Sequence, residues 1–124
     1  MSEFQTKFLH TRIRVRDLDR SAKFYHDLFG FEEVHRGDSP AGNKLCFLKL
    51  PASDTLIELC YTEGVELQVP EDLMHFGLTV EDLHEFRKKW EPTGIKFWPE
   101  EGPVNDHLYF IDDPDGYEVE LLKA

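Results

Sequence analysis

The segment His10-Thr11-Arg12-Ile13-Arg14-Val15-Arg16-Asp17-Leu18 recurs in altered form at His75-Phe76-Gly77-Leu78-Thr79-Val80-Glu81-Asp82-Leu83. In both segments a Val follows the His by five positions, and Asp-Leu follows it by seven and eight. The later parts of the chain correspond as well, because Glu58-Leu59 and Glu120-Leu121 each follow a proline by six or seven residues. This self-similarity indicates one supersecondary unit used twice.

Each copy begins with a strand that is followed by a helix. Apolar and polar residues alternate over 9–16, which is the period of a half-buried strand. Apolar residues then fall at helical spacing over 18–29, where an Asp at 17 or 19 can cap the start and Gly30 can close the end. In the second copy Leu83 opens a similar helix, which Pro92 and Gly94 end.

Three further strands follow each helix. We expect them at 31–34, 45–50 and 55–61 in the first copy, and at 95–98, 107–111 and 117–122 in the second. Turns are expected at 37–43, 51–54, 103–106 and 112–116. The sequence therefore predicts an α+β protein in which two βαβββ modules, about 6–64 and 71–124, form cupped mixed sheets within a single domain over 1–124. The segment 62–70 is the predicted hinge between the modules.

Composition limits the kinds of partner. The 124 residues include 40% hydrophobic residues, which suits one globular domain, and 25 acidic against 14 basic residues give a net charge of −11. Such a field repels phosphate backbones and anionic lipids, so neither nucleic acid nor a membrane is an expected partner. The sequence has no apolar run of about 20 residues and no signal-peptide profile, so a cytoplasmic location is expected. Cys46 and Cys60 are predicted to be buried free thiols.

The strand phase places four chemically useful side chains on equivalent faces. His10, Glu58, His75 and Glu120 each lie opposite the apolar face of a predicted strand. Two imidazoles and two carboxylates are the ligands that a five- or six-coordinate divalent metal with one or two waters accepts. Any one of them alone is an ordinary surface residue; their duplication predicts a metal site. The other histidines have no matched placement and are predicted to be surface or loop residues, namely His26, His35, His84 and His107.

The residues around these positions resemble a known family. The runs that carry the resemblance are 8–15, 17–21 with Phe24-Tyr25, 56–61, 74–78 and Asp113-Pro114-Asp115-Gly116-Tyr117-Glu118-Val119-Glu120-Leu121. Together they resemble glyoxalase I (lactoylglutathione lyase) of the vicinal-oxygen-chelate superfamily. The resemblance implies that fold, a homodimer whose sites lie at the subunit interface, and a metal held by His10, Glu58, His75 and Glu120. Nickel or cobalt is implied more than zinc.

The resemblance also implies a detoxifying reaction. A hemithioacetal of methylglyoxal and a thiol would be converted to a 2-hydroxyacyl thioester by moving a proton from C1 to C2. The metal would act as a Lewis acid that stabilises the developing negative charge. Glu120 would be the principal base, and Glu58 a ligand and possible second proton carrier.

Three residues are expected to bind the substrate. Arg14 lies on the face of His10 and matches the family's arginine for a glutathione carboxylate. Arg12 shares that face, and Thr62 replaces the Asn that the family usually has there. A basic residue expected before the last two strands is absent from 102–107, so glutathione and other thiols both remain open. Arg14 could equally be a partner for nearby carboxylates.

Two other kinds of protein share the expected scaffold. One is another enzyme of the superfamily, an epimerase or a dioxygenase; epimerases typically carry Gln where Glu58 stands, so Glu58 favours the isomerase. The other is a metal-free binding protein of the bleomycin-resistance kind, which lacks the four ligands. A retained ligand set without a thiol pocket would be a vestigial site.

Overall fold

A computed structural model describes residues 3–69, 74–100 and 107–124 of the chain. These residues form two compact units, Met1–Leu67 and Gln68–Ala124. The first contains β1 (His10–Arg14), α1 (Leu18–Phe29), β2 (Glu32–Asp38), β3 (Lys44–Lys49) and β4 (Leu56–Tyr61). The second contains β5 (Phe76–Val80), α2 (Leu83–Trp90), a short 3-10 turn (Glu91–Thr93), β6 (Phe97–Trp98), β7 (Leu108–Asp112) and β8 (Glu118–Lys123).

The two units share one topology. The strand order is β1-β4-β3-β2 in the first sheet and β5-β8-β7-β6 in the second. In each sheet the first and last strands of the unit pair in parallel, while the other neighbours are antiparallel. The predicted α+β fold with two βαβββ modules and mixed sheets is confirmed. Their union into one domain over 1–124 stays a prediction.

Side-chain caps set the ends of the helices. The Asp17 carboxylate accepts a hydrogen bond from the Arg20 N–H at 3.1 Å, and Gly30 ends α1 with a φ of 83°. The sequence left Asp17 and Asp19 as candidates for this cap, and Asp17 is the residue that caps the helix. Asp19 instead accepts a hydrogen bond from the Arg36 guanidinium at 2.8 Å. The second helix begins in the same way, because Asp82 accepts from the N–H at the third helical position.

Each helix covers the apolar face of its own sheet. The first helix packs on β3 and β4, and the second contacts β8. Tyr25 of α1 is fully buried, as are Leu59 of β4 and, in the second unit, Leu121 of β8. Full burial of a large apolar side chain contributes about 1.5 to 3 kcal/mol. The polar side chains of His10, Arg12, Glu58 and Glu120 lie on the opposite faces of the sheets.

The strand predictions were wrong at two places. The second strand, predicted at 31–34, runs over Glu32–Asp38, because its ladder with β3 continues to the pair Asp38–Lys44 past a register shift after Glu33. The strand predicted at 95–98 is shortened to Phe97–Trp98. The other later strands agree within one residue at each end. The turn predicted at 103–106 lies outside the described residues.

Two further expectations concern the thiols and the membrane. Cys46 and Cys60 are free and buried, as predicted. Within the described ranges, none of the helices combines the length and the apolar character needed to cross a bilayer. The cytoplasmic location stays a prediction.

Candidate active site

The first unit brings His10 and Glu58 together. Because β1 lies parallel to β4 with His10 opposite Leu56, Glu58 is two positions further along the neighbouring strand, on the same face. The His10 Nε2 is 3.6 Å from the Glu58 Oε1. The carboxylate belongs to a residue that is only 2% exposed, whereas the His10 side chain is 35% exposed. A buried carboxylate thus lies beside an accessible imidazole.

The second unit repeats this pair with His75 and Glu120. His75 directly precedes β5, and its Nε2 is 3.3 Å from the Glu120 Oε1 on β8. Here both side chains are partly exposed, 31% for the histidine and 22% for the glutamate. The same nitrogen faces the same carboxylate oxygen in both units.

An aromatic ring supports each histidine, and sequence reasoning missed both rings. Phe47 and Phe110 are the antiparallel register partners of Glu58 and Glu120. The ring centroids of His10 and Phe47 are 5.6 Å apart at 76°, and those of His75 and Phe110 are 5.7 Å apart at 79°. These edge-to-face contacts restrain the imidazoles. The signal was available, since a Phe lies in the strand before each glutamate strand.

His35 is exposed, as predicted for a surface residue, and it also contacts Phe47. It lies on β2 opposite Phe47, and the two ring centroids are 5.9 Å apart. Phe47 therefore has an imidazole on each side, His10 and His35. The corresponding neighbour of Phe110 on β6 is Trp98, so this feature of the first unit is not repeated in the second.

The two pairs have the donor set that a divalent cation requires. Neighbouring ligands of one divalent ion, each about 2.1 Å from it, lie about 3.0 to 3.5 Å apart. The separations of 3.6 and 3.3 Å are close to that range. Over residues 3–69, 74–100 and 107–124, no group of three or more potential ligands is brought together. The four predicted ligands are therefore described as two pairs, one in each unit.

Comparison with known proteins identifies the family. Residues 7–121 match the family model of the Glyoxalase/Bleomycin resistance protein/Dioxygenase superfamily. The chain belongs to this superfamily. Its sequence is 34% identical to a probable lactoylglutathione lyase of Synechocystis over 94% of both chains, and 32% identical to the lactoylglutathione lyase of Salmonella typhimurium over 95% of this chain and 93% of that one.

The solved structures agree with this placement within the superfamily. The chain matches the trypanothione-dependent glyoxalase I of Leishmania major with a TM-score of 0.83 and 34% identity, over 96% of this chain and 87% of that one. The chain is therefore a lactoylglutathione lyase-like enzyme.

The motif Asp113-Pro114-Asp115-Gly116-Tyr117, which carried part of the family resemblance, forms the turn between β7 and β8. Asp113 is 5% exposed, and its Oδ1 accepts hydrogen bonds from the Asp115 N–H at 2.9 Å and the Tyr117 N–H at 3.0 Å. Gly116 adopts a φ of 97°, which favours glycine. The turn joins β7 to β8 in the register that pairs Phe110 with Glu120. The motif thus positions the second glutamate.

The predicted substrate-binding residues lie on the first sheet, on the face of Glu58. The Nε of Arg12 donates a hydrogen bond to the Glu58 Oε1, and this bond raises the pKa of the Arg12 guanidinium above its ordinary value. Arg14 instead donates to the Thr62 hydroxyl at 2.6 Å, and Thr62 donates to the Asn43 side-chain oxygen at 2.6 Å. Arg12 is therefore the arginine that binds the buried Glu58 carboxylate, whereas Arg14 is hydrogen-bonded through Thr62 to Asn43.

Proposed function

We propose that this enzyme isomerises the hemithioacetal of a 2-oxoaldehyde, such as methylglyoxal, and a thiol to the 2-hydroxyacyl thioester. It would do so with one divalent cation held by His10, Glu58, His75 and Glu120. The observation that carries the proposal is the repeated arrangement of His, Glu and Phe, with a Nε2-to-Oε1 separation of 3.6 Å in one unit and 3.3 Å in the other. Lactoylglutathione lyases are the relatives that match over nearly the whole chain.

The chemistry of the donors supports a metal. Neutral imidazole nitrogens and carboxylate oxygens together suit nickel, cobalt or zinc, of which nickel and cobalt are the proposed choices. Glu58 is 2% exposed and accepts the hydrogen bond of Arg12, so its carboxylate is held in place beside His10. A cation bound there would act as a Lewis acid toward the two adjacent oxygens of the substrate and stabilise the negative charge that develops on them.

Glu120 is proposed to move the proton. Its side chain is 22% exposed, and among the described residues its ionisable contact is His75. A carboxylate of this kind can take the proton from C1 and return it to C2, so the substrate and the product have the same composition. Glu58 is proposed as a ligand first and as a second proton carrier only in addition.

The thiol portion of the substrate is proposed to lie along the first sheet. Arg14, Thr62 and Arg12 present guanidinium and hydroxyl groups on the face of Glu58, and guanidinium groups bind carboxylates well. The names of the relatives include both a lactoylglutathione lyase and a trypanothione-dependent enzyme. From the two arginines we propose an anionic thiol such as glutathione, and the two names make other thiols, trypanothione included, candidates in the assay.

The protein is further proposed to act as a homodimer in which each site takes one pair of ligands from each of two chains. The repeated unit supports this, because equivalent His-Glu pairs can complete either of two symmetric sites.

The experiment is removal of metal by chelation, followed by reconstitution with nickel, cobalt or zinc. Turnover is followed by the ultraviolet absorbance of the thioester, with methylglyoxal and several thiols. We expect activity to disappear on chelation and to return with nickel or cobalt. Full activity of the metal-free protein would refute the metal site. Stoichiometric metal without turnover on any thiol would indicate a vestigial site, and tight binding of a small molecule without metal would indicate a binding protein.

A further inference from the structure

The two units differ at the residue that lies beside each glutamate. In the first unit the register partner of Glu58 on β1 is Arg12, and in the second the partner of Glu120 on β5 is Gly77. A Cβ added at Gly77 would lie 3.8 Å from the Glu120 Oε1, which is an ordinary contact distance. Steric crowding at the first side-chain atom therefore does not explain why the second unit carries glycine there.

Arg12 and His10 both lie against the Oε1 of Glu58. The Arg12 Nε donates to the Glu58 Oε1, and the His10 Nε2 lies 3.6 Å from the same oxygen. Arginine keeps its charge at all working pH values, and its planar group orients a carboxylate. Because the glutamate is only 2% exposed, it has little room for another orientation.

Glu120 has a hydrogen bond with His75 but no arginine of the kind that holds Glu58. Its side chain is 22% exposed, its neighbour at 3.3 Å is the His75 Nε2, and within the described residues no arginine or lysine forms an ion pair with it. A metal ligand works best when its direction is held, whereas a proton carrier has to reach two different carbon atoms. Glu58, which is buried and held by Arg12, matches the first demand, and Glu120, which is more exposed and has His75 as its partner, matches the second.

We propose that Arg12 is a positioning residue that holds Glu58 in the orientation it needs as a metal ligand. The equivalent position in the second unit is Gly77, so no arginine side chain from that position holds Glu120. Glu120 is thereby the glutamate that moves during proton transfer. This inference rests on the proposed function, and it assigns different duties to two residues that the repeat makes equivalent.

The test replaces Arg12 by Met and measures the Ni²⁺ dissociation constant of the metal-free protein by competition with a chelator. We expect binding to weaken about 10-fold or more, as is typical when the partner of a metal ligand is removed. A parallel steady-state measurement at saturating Ni²⁺ should show a smaller loss of kcat than of metal affinity. Arg12→Lys, which restores a charged donor, should recover part of the affinity.

Two further variants complete the design. Lys23→Met removes one positive charge from the exposed face of α1 and should leave Ni²⁺ affinity unchanged. Gly77→Arg places a guanidinium beside Glu120, and we expect kcat to fall at least about 10-fold while Ni²⁺ affinity stays within about threefold, since only movement is impeded. If Arg12→Met does not fold, Arg12→Gln and Arg12→Lys are compared with each other instead.

The outcomes separate this inference from the proposed function. Wild-type protein that binds no metal, or turns over no hemithioacetal, contradicts the proposed function. Wild-type protein that does both, with Arg12→Met binding Ni²⁺ as tightly as wild type or more tightly, overturns the role of Arg12 alone. A Gly77→Arg variant with wild-type kcat overturns the assignment of movement to Glu120.

Discussion

Replacing Glu120 by Gln is expected to lower kcat, whereas replacing Glu58 by Gln is expected to lower the free energy of unfolding. Glu120→Gln keeps the shape of the side chain and an oxygen that faces His75 at 3.3 Å, but the amide cannot carry a proton. General acid–base catalysis contributes about 10²- to 10⁴-fold, so we expect kcat to fall by that factor, which corresponds to about 3 to 5 kcal/mol of barrier. The free energy of unfolding of the metal-free protein should change by less than about 0.5 kcal/mol, because the side chain is partly exposed.

The matched variant Glu58→Gln acts mainly on stability. The residue is 2% exposed and accepts the hydrogen bond of Arg12, whose own side chain is 50% exposed. A hydrogen bond to a charged group contributes about 1.5 to 3 kcal/mol. Because half of the arginine side chain stays in water, we expect the lower half of that range, a loss of about 1.5 to 2 kcal/mol of unfolding free energy. In a domain of this size the loss corresponds to a decrease of several degrees in Tm.

The assay for both variants combines urea unfolding of the metal-free protein with steady-state kinetics at saturating metal. Glu120→Gln should be stable and inactive, and Glu58→Gln should be less stable and bind metal more weakly. A Glu120→Gln enzyme that keeps most of its kcat would refute the assignment of the base. Equal unfolding free energies for the two variants would refute the argument from burial and from Arg12.

Three further predictions use other parts of the chain. His10→Ala and His75→Ala should each be inactive, and refolding them together should restore about a quarter of wild-type activity if each site draws on two chains; no recovery would mean that each site belongs to one chain. Burial, and next the nearby Glu33, raises the pKa of the Cys46 thiol to about 11, so this thiol should resist iodoacetamide at pH 8 in the folded protein and react after unfolding, as followed by mass spectrometry. Asp17→Ala should lower the unfolding free energy by about 1 kcal/mol in urea titrations, and Asp19→Ala by less than 0.5 kcal/mol, because only Asp17 caps α1.

Local features of the sequence were sufficient for most of the secondary structure. The spacing of apolar residues over 18–29 predicted α1, and Gly30 ends it as expected. The repeat then predicted that the second unit has the same order of elements, which the strand order confirms. Where prediction went wrong, at the end of β2, the strand is extended by a ladder to β3 that no local pattern reveals.

For the candidate site, too, the sequence predicted which residues are involved but not which of them face each other. Alternation and duplication were enough to select His10, Glu58, His75 and Glu120, because the face of a strand on which a residue lies depends only on its neighbours along the chain. Their roles as ligands stay predictions. That His10 faces Glu58, and His75 faces Glu120, required the parallel pairing of the first and last strands of each unit, which joins residues more than 40 positions apart.

The sequence by itself determined which elements form and which faces of them are polar, since periodicity and capping act over a few residues. Tertiary structure decided which side chains meet: Phe47 contacts His10, Arg12 binds Glu58, and Gly77 instead of an arginine lies opposite Glu120 on β5. The physical reason is that strand order and register arise from long-range packing. Two glutamates that look equivalent in the repeat thereby receive different surroundings.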